Sequence, residues 1–78
     1  MSDEVLDLTG LKCPLPAMAT KKALRMLAPG LRLEVITTDP LAGIDIPNAV
    51  REAGAKLDGQ TQFEGGMRFV ISRPEDEA

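Results

Sequence analysis

The chain has 78 residues, a net charge of −3 and 44% hydrophobic residues, values that describe one small globular domain and exclude a disordered chain. It has no histidine and a single cysteine, Cys13, which excludes a Cys–His protease pair and an internal disulfide. No signal-peptide pattern or long apolar run is present, so we expect a cytoplasmic protein without a membrane span. With only two aromatic residues, Phe63 and Phe69, the core is expected to be aliphatic.

The first half of the chain predicts a strand, a helix and a second strand. Residues 4–8 form a short strand candidate with apolar residues on one face. The helix is predicted over about 14–27. Pro14 is tolerated in its first turn, where the N–H groups have no intrahelical partner, and the Pro-Gly pair at 29–30 ends it. The second strand, 31–37, alternates apolar and charged residues.

The second helix is predicted to begin near Asp45 and to end at Gly54. Aspartate is a preferred N-cap residue, and Pro47 would then lie in the first turn. Before this helix, Asp39 precedes Pro40, a pair that commonly starts a turn.

The remaining segments predict a hairpin and complete the fold. Strands at 56–63 and 67–73 flank a Glu-Gly-Gly turn, and the Asp-Gly pair at 58–59 predicts a bulge. The order β-α-β-α-β-β predicts an α/β (α+β) two-layer sandwich, with a mixed four-stranded sheet, two helices on one face and a polar open face. The chain is expected to be a single domain with an ordered core over 4–73 and a disordered tail at 74–78.

One arc of the first helix is apolar and the other is basic. The arc that we expect to face the core comprises Leu15, Pro16, Ala17, Ala19, Ala23, Leu24, Met26, Leu27 and Ala28. On the other arc, Met18 lies among cations. We interpret Met18, Lys21 and Arg25 as a partner-docking surface; the alternative is a solvated helix face with an isolated exposed methionine.

The run GLKCPLPA, residues 10–17, places the cysteine directly before a proline at the predicted start of the first helix. A residue before proline adopts extended conformations, as an N-cap residue does, so Cys13 is predicted at the N-cap. The helix dipole, the Leu15 N–H and the neighbouring Lys12, with no acid close in sequence, are then expected to lower the thiol pKa.

The alternative is that Cys13 is a small buried hydrophobe. Its neighbours Lys12, Pro14 and Pro16 favour instead an exposed strand-to-helix loop, in which they position a reactive thiol. Residue 16 is not a cysteine, so a CxxC redox cycle within the chain is excluded. A lone nucleophilic thiol without a catalytic base is suited to accept a group, hold it and pass it on, and its exchange chemistry suits sulfane sulfur carried as a persulfide.

The run LDLTGLKCPLP, the KKAL at 21–24, the DP at 39–40 and the DIP at 45–47 together resemble the TusA family of small sulfur carriers, also called SirA/YedF-like, over about 6–73. The resemblance implies the same β-α-β-α-β-β sandwich and makes Cys13 the sulfur acceptor. It also implies a cysteine desulfurase or other sulfurtransferase as donor and an acceptor protein in tRNA thiolation, molybdenum-cofactor formation or sulfur oxidation. The expected protein is a carrier without a bound cofactor, not a stand-alone enzyme.

The resemblance also matches Asp39 and Asp45 to acidic positions of the family, and we add both to the predicted docking surface. The second helix departs from the family pattern. Residues 48–50 contain no second cysteine, and Gly-Ala at 54–55 stands where many members have Gly-His. These departures leave the chemistry of Cys13 intact and bear on the identity of the recipient.

Two other functions are compatible with a small domain of this kind. A regulatory or interaction module would keep the fold without sulfur traffic. Direct nucleic-acid binding is disfavoured, because the chain is acidic overall and has no Tyr or Trp for base stacking. A metal site is also disfavoured, because histidine is absent, cysteine is single, and Asp39, Asp45 and Asp58 lack calcium-loop spacing.

Overall fold

The computed structural model describes residues 3–74, which form two helices and four strands. In chain order these are β1 (Glu4–Leu8), α1 (Leu15–Met26), β2 (Arg32–Thr37), α2 (Ala42–Glu52), β3 (Lys56–Phe63) and β4 (Gly66–Ser72). Apart from Pro74, the tail predicted to be disordered lies outside the described residues. Neither α1 nor α2 is long and apolar enough to cross a membrane.

The sheet has the strand order β1-β2-β4-β3. β1 and β2 are parallel, because α1 forms the crossover between them, and β4 is antiparallel to both of its neighbours. β2 and β3 therefore point the same way without pairing. The predicted fold class, a mixed four-stranded sheet in a two-layer α+β sandwich, is confirmed.

Both helices pack on one face of the sheet and enclose a single core. Its fully or almost fully buried members are Leu8, Leu24, Leu27, Leu33, Val35, Ala42, Ile46, Val50, Phe69 and Ile71. Across β2 and β4, Leu33 lies opposite Ile71 and Val35 opposite Phe69, so the alternating residues of both strands face the helices. The expectation of a purely aliphatic core is wrong in one respect, since Phe69 is the largest fully buried side chain.

Charged pairs lie on the open face of the sheet, as predicted. Arg68 Nε lies 3.3 Å from Glu34 Oε2 across β4 and β2, and Arg32 Nε lies 3.7 Å from Asp58 Oδ2. The pairing of β3 with β4 shifts register between Leu57 and Gly59, which confirms the predicted bulge.

The predicted core side of α1 is too broad. Leu15 and Met26 were expected in the core, but both are exposed, at 50% and 79%. They lie at the edge of the apolar arc, and the stripe of α1 that packs on the sheet is narrower than that arc. Thr20, which was not assigned to the core, is fully buried. Its polar hydroxyl is tolerated there because it donates a hydrogen bond to the Pro16 carbonyl, 2.8 Å away.

The C-terminus of α1 is capped by a side chain from the end of the sheet. The Arg73 guanidinium, which follows β4, donates to the carbonyl oxygens of Leu27, Arg25 and Leu24, at 2.5, 3.3 and 3.4 Å. A cation at the C-terminus of a helix satisfies free carbonyls and complements the dipole. The sequence placed Arg73 in a strand and gave no sign of this contact.

Candidate functional site

The cysteine lies in the loop between β1 and α1, at the edge of the sheet where the parallel strands β1 and β2 both end. Gly10 has a φ of +86°, a conformation that glycine adopts without strain. Its N–H donates to Thr38 Oγ1, 3.0 Å away, so the loop is attached to the end of β2. Cys13 is exposed at the tip of this loop, which confirms the predicted exposure and excludes a buried structural role.

The prediction that Cys13 is the N-cap of α1 is wrong by one residue. The N-cap is Pro14, whose carbonyl accepts the Met18 N–H at 3.2 Å, and the Cys13–Pro14 peptide bond is cis. The Leu15 N–H, which was expected to face the sulfur, donates to the Lys12 carbonyl at 2.9 Å. The sulfur therefore lacks the helix N–H group that was expected to stabilise a thiolate.

Asp39 lies directly after β2 and shapes the turn into α2. Its N–H donates to Thr37 Oγ1, and its Oδ1 accepts the Leu41 N–H at 3.2 Å, as the turn interpretation predicts. The side chain is buried, with 7% of its surface exposed. Asp39 was assigned to a docking surface, but this burial leaves it little surface to offer a partner.

Asp45 is not the N-cap of α2. The helix begins at Ala42 with Leu41 as N-cap, and the Asp45 N–H already donates to the Leu41 carbonyl at 3.0 Å. The preceding segment 39–43, predicted as a loop or a preliminary turn, thus runs into the first turn of the helix, and Pro47 lies inside the helix. Asp45 sits in that first turn, half-buried, and its carboxylate is directed toward the thiol loop.

Folding brings the thiol and the two carboxylates together. Cys13 Sγ, one oxygen of Asp39 and one oxygen of Asp45 all lie within 4.8 Å of one another. Within residues 3–74, the Oδ2 atoms of both aspartates are buried without a hydrogen-bond partner. Asp58, the third acid considered from the sequence, lies instead on the open face of the sheet, where it contacts Arg32 and Ser72.

These carboxylates reverse the expected electrostatics of the thiol. The pKa of Cys13 is raised above its usual value, first by hydrogen bonding of the protonated thiol to the Asp45 carboxylate. The loss of surrounding water and the negative charges of Asp45 and Asp39 raise it further. The prediction of a lowered pKa is therefore wrong, because it counted only charges close to Cys13 in sequence.

Replacing Asp45 with Asn is expected to lower the pKa of Cys13, since the amide carries no charge to oppose the thiolate. Because a raised pKa means less thiolate at neutral pH, the variant should react faster with iodoacetamide near pH 7. The two proteins should converge at high pH, where both are thiolates. The measurement is the alkylation rate against pH in buffer with a chelator. Glu52→Gln is the matched control, and an unchanged profile for Asp45→Asn would contradict the assignment.

A groove of about 260 Å³ extends from the thiol between α1 and α2. Its lining residues are Cys13, Pro14, Ala17, Lys21, Asp45, Asn48, Ala49 and Glu52. Lys21 forms an ion pair with Glu52, so this predicted docking cation is already engaged within the chain. Lys12 is exposed beside the thiol, and Pro16 is buried in the first turn of α1.

Exposed apolar side chains lie at the starts of both helices, and only Met18 was singled out from the sequence as an exposed apolar residue. Met18 is 59% exposed, next to Leu15 on the surface of α1, and Arg25 is also exposed. Leu41 and Ile44 of the α2 start are exposed as well. The predicted helix start near Asp45 lies after both residues, so neither was recognised from the sequence as part of a helix surface.

Comparison with known proteins agrees with this architecture. The family model described as Sulfurtransferase TusA matches residues 4–73. The sulfur carrier protein TusA of Pseudomonas paraeruginosa is 40% identical over 74 residues, which cover 95% of this chain and 94% of that protein. The protein of the same name from Pseudomonas entomophila is 42% identical, with 95% and 92% covered.

A solved structure shows the same fold. The crystal structure of a SirA-like protein from Desulfitobacterium hafniense superposes with a TM-score of 0.78 at 22% identity, covering 92% of this chain and 99% of that one. With the family model matching almost the whole described chain, the protein belongs to the TusA family of sulfur carriers.

Proposed function

We propose that the protein carries sulfane sulfur as a persulfide on Cys13, accepting it from a cysteine desulfurase or another sulfurtransferase and passing it to an acceptor protein. The observation that supports this most directly is the exposed thiol at the mouth of the groove between the helices. Cys13 is the chain's only cysteine, so a sulfur atom accepted there cannot be lost to an internal disulfide.

The proposed loading step is a thiol exchange without net oxidation. The Cys13 thiol releases its proton to solvent, and the resulting thiolate attacks the terminal sulfur of the donor's persulfide. The sulfur–sulfur bond in the donor breaks, a new one forms at Cys13, and the donor cysteine leaves as a thiolate. In unloading, a thiolate of the acceptor attacks the same terminal sulfur, the sulfur–sulfur bond at Cys13 breaks, and Cys13 leaves as a thiolate that then takes up a proton from solvent.

The raised pKa of Cys13 affects the unloaded state of the proposed carrier. The carboxylates of Asp39 and Asp45 oppose negative charge at this position, in the persulfide anion as in the thiolate. They therefore favour the protonated thiol before loading and the return to that form after the sulfur has been transferred. The recipient belongs to tRNA thiolation, molybdenum-cofactor formation or sulfur oxidation, the pathways in which we propose that this carrier acts.

The test is intact-mass spectrometry after incubation with a cysteine desulfurase, pyridoxal phosphate for that enzyme, and free cysteine. We expect the protein to gain one or more sulfur atoms, to lose them on reduction, and to carry them on the proteolytic peptide that contains Cys13. A protein that stays unmodified by an active desulfurase, and by a persulfide-forming sulfurtransferase in a parallel sample, would reject the carrier function in favour of an interaction module.

We further expect the donor to dock on the stripe of α1 beside the thiol, formed by Met18, Lys21 and Arg25. Arg25→Glu should slow sulfur loading about tenfold, because like charges across an interface are strongly unfavourable. Its reaction with iodoacetamide should stay unchanged, since Arg25 is not among the groups that shift the thiol pKa. The matched control is Lys56→Glu on β3, which makes the same change in net charge away from α1. Equal slowing by both variants would attribute the effect to net charge and contradict docking at this stripe.

A further inference from the structure

We propose that Cys13, Asp39 and Asp45 form a binding site for one thiophilic divalent cation, with Zn²⁺ as the best-fitting metal. The metal would be a second ligand of the residues around the thiol, besides the sulfur atom of the proposed function. The binding itself is independent of sulfur transfer.

The geometry is close to that of a metal site. The three potential ligand atoms lie within 4.8 Å of one another. Ligands on a tetrahedral zinc ion, at about 2.0–2.3 Å from the metal, are roughly 3.5 Å apart. The difference requires a movement on the order of 1 Å, and Cys13, which is exposed on a loop, can supply it by rotating its side chain. Asp39 is held in place by its turn hydrogen bonds.

The carboxylates have unused coordinating atoms. Asp39 is more than nine-tenths buried, its Oδ1 is occupied by the Leu41 N–H, and its Oδ2 has no partner within residues 3–74. The Oδ2 atom of the half-buried Asp45 is also buried without a hydrogen-bond partner among the described residues. Burying a carboxylate oxygen without a partner is costly, and a cation between the two aspartates would remove that cost. Lys21, the cation of the adjacent groove, is paired with Glu52 instead.

The donor set selects the type of metal. A thiolate favours Zn²⁺ over Mg²⁺ and Ca²⁺, which take oxygen ligands and higher coordination numbers. One sulfur and two carboxylate oxygens leave a fourth tetrahedral position for water. Binding replaces the proton of the Cys13 thiol with the metal and releases that proton to solvent, so affinity should rise with pH.

Metal binding would also control the proposed function, and this consequence rests on Cys13 being the sulfur acceptor. A sulfur atom coordinated to Zn²⁺ is not free to attack a donor persulfide. The metal would therefore hold the unloaded carrier inactive, and removal of the metal by a chelator would restore loading.

The binding test uses the full chain, freed of metal, titrated with Co²⁺ and then with Zn²⁺. We expect a thiolate-to-cobalt charge-transfer absorption that Zn²⁺ removes and Mg²⁺ does not. Cys13→Ser should abolish the absorption, and Asp45→Ala should weaken cobalt binding roughly tenfold or more. Glu52→Ala removes an acid from the same groove, outside the cluster, and should bind as the unmodified chain does.

Absence of the charge-transfer absorption would overturn the proposal, and so would an Asp45→Ala variant that binds Co²⁺ as tightly as the unmodified protein. The sulfur-loading assay, run with a chelator, separates the two proposals. Loading without cobalt binding rejects the metal site alone, whereas cobalt binding without loading rejects the carrier function and leaves the metal site standing.

Discussion

Cys13→Ser is expected to abolish sulfur acceptance completely while leaving the fold intact. The hydroxyl of serine is nearly the same size as the thiol but does not attack sulfane sulfur under these conditions. Cys13 is exposed and contributes nothing to the core, so the free energy of unfolding should change by no more than about 0.5 kcal/mol. The measurements are intact mass after incubation with the desulfurase and urea unfolding followed by circular dichroism.

Because the chain has a single cysteine, the serine variant contains no other thiol that could accept sulfur. A serine variant that still gained sulfur, removable by a reductant, would contradict the assignment of Cys13. A variant that failed to fold would show that the thiol loop has a structural role, and Cys13→Ala would then separate that role from the chemistry.

Phe69→Ala is expected to lower the free energy of unfolding more than either Cys13→Ser or Phe63→Ala. Phe69 is fully buried on β4 opposite Val35, where both helices and the sheet meet, and truncating such a phenylalanine costs about 3–5 kcal/mol. A domain of this size has a total stability of roughly 4–12 kcal/mol, so the variant should keep only a fraction of it. The chain has no Trp or Tyr, and far-ultraviolet circular dichroism in urea is therefore the suitable measurement.

The second phenylalanine provides a matched control. Phe63, at the end of β3, is 40% exposed, and Phe63→Ala should cost about 1 kcal/mol or less. Equal destabilisation by the two variants would contradict the placement of the core between the helices and the central strands.

The sequence was sufficient to predict the fold because its patterns are local. Each of these patterns depends only on residues that are adjacent in sequence. They are the alternation in β2, the glycines of the hairpin and the Asp-Gly bulge at 58–59. The exposed thiol was equally predictable, since a proline after Cys13 and a polar loop before it act on the same short segment.

The chemistry of the site was less predictable because it depends on distant residues. Cys13 was predicted among basic neighbours, but Asp39 follows another strand and Asp45 lies on another helix. Only the parallel pairing of β1 and β2 brings the ends of these elements to one edge of the sheet. Once there, the two carboxylates raise the pKa of the thiol, in the direction opposite to the prediction.

The start of α2 illustrates a different difficulty. Asp45 and Pro47 form an N-terminal signature that is correct in type but four residues late, since the N-cap is Leu41 and not Asp45. Asp39 organises that earlier start through its turn. As a result Asp45 has one helical turn behind it, and its side chain contributes to the site instead of capping a helix.

The hydrogen bond from Gly10 to Thr38 has a consequence for how sulfur is exchanged. This hydrogen bond joins the thiol loop to the end of β2, next to Asp39. The thiol is therefore presented from a fixed position and not from a mobile segment. In the proposed function, a donor and an acceptor would then bind the same surface around Cys13, one after the other. For the proposed sulfur transfer, the protein would have to dissociate from the donor before it binds the acceptor, and the dissociation rate of the loaded complex would set an upper limit on the rate of sulfur transfer.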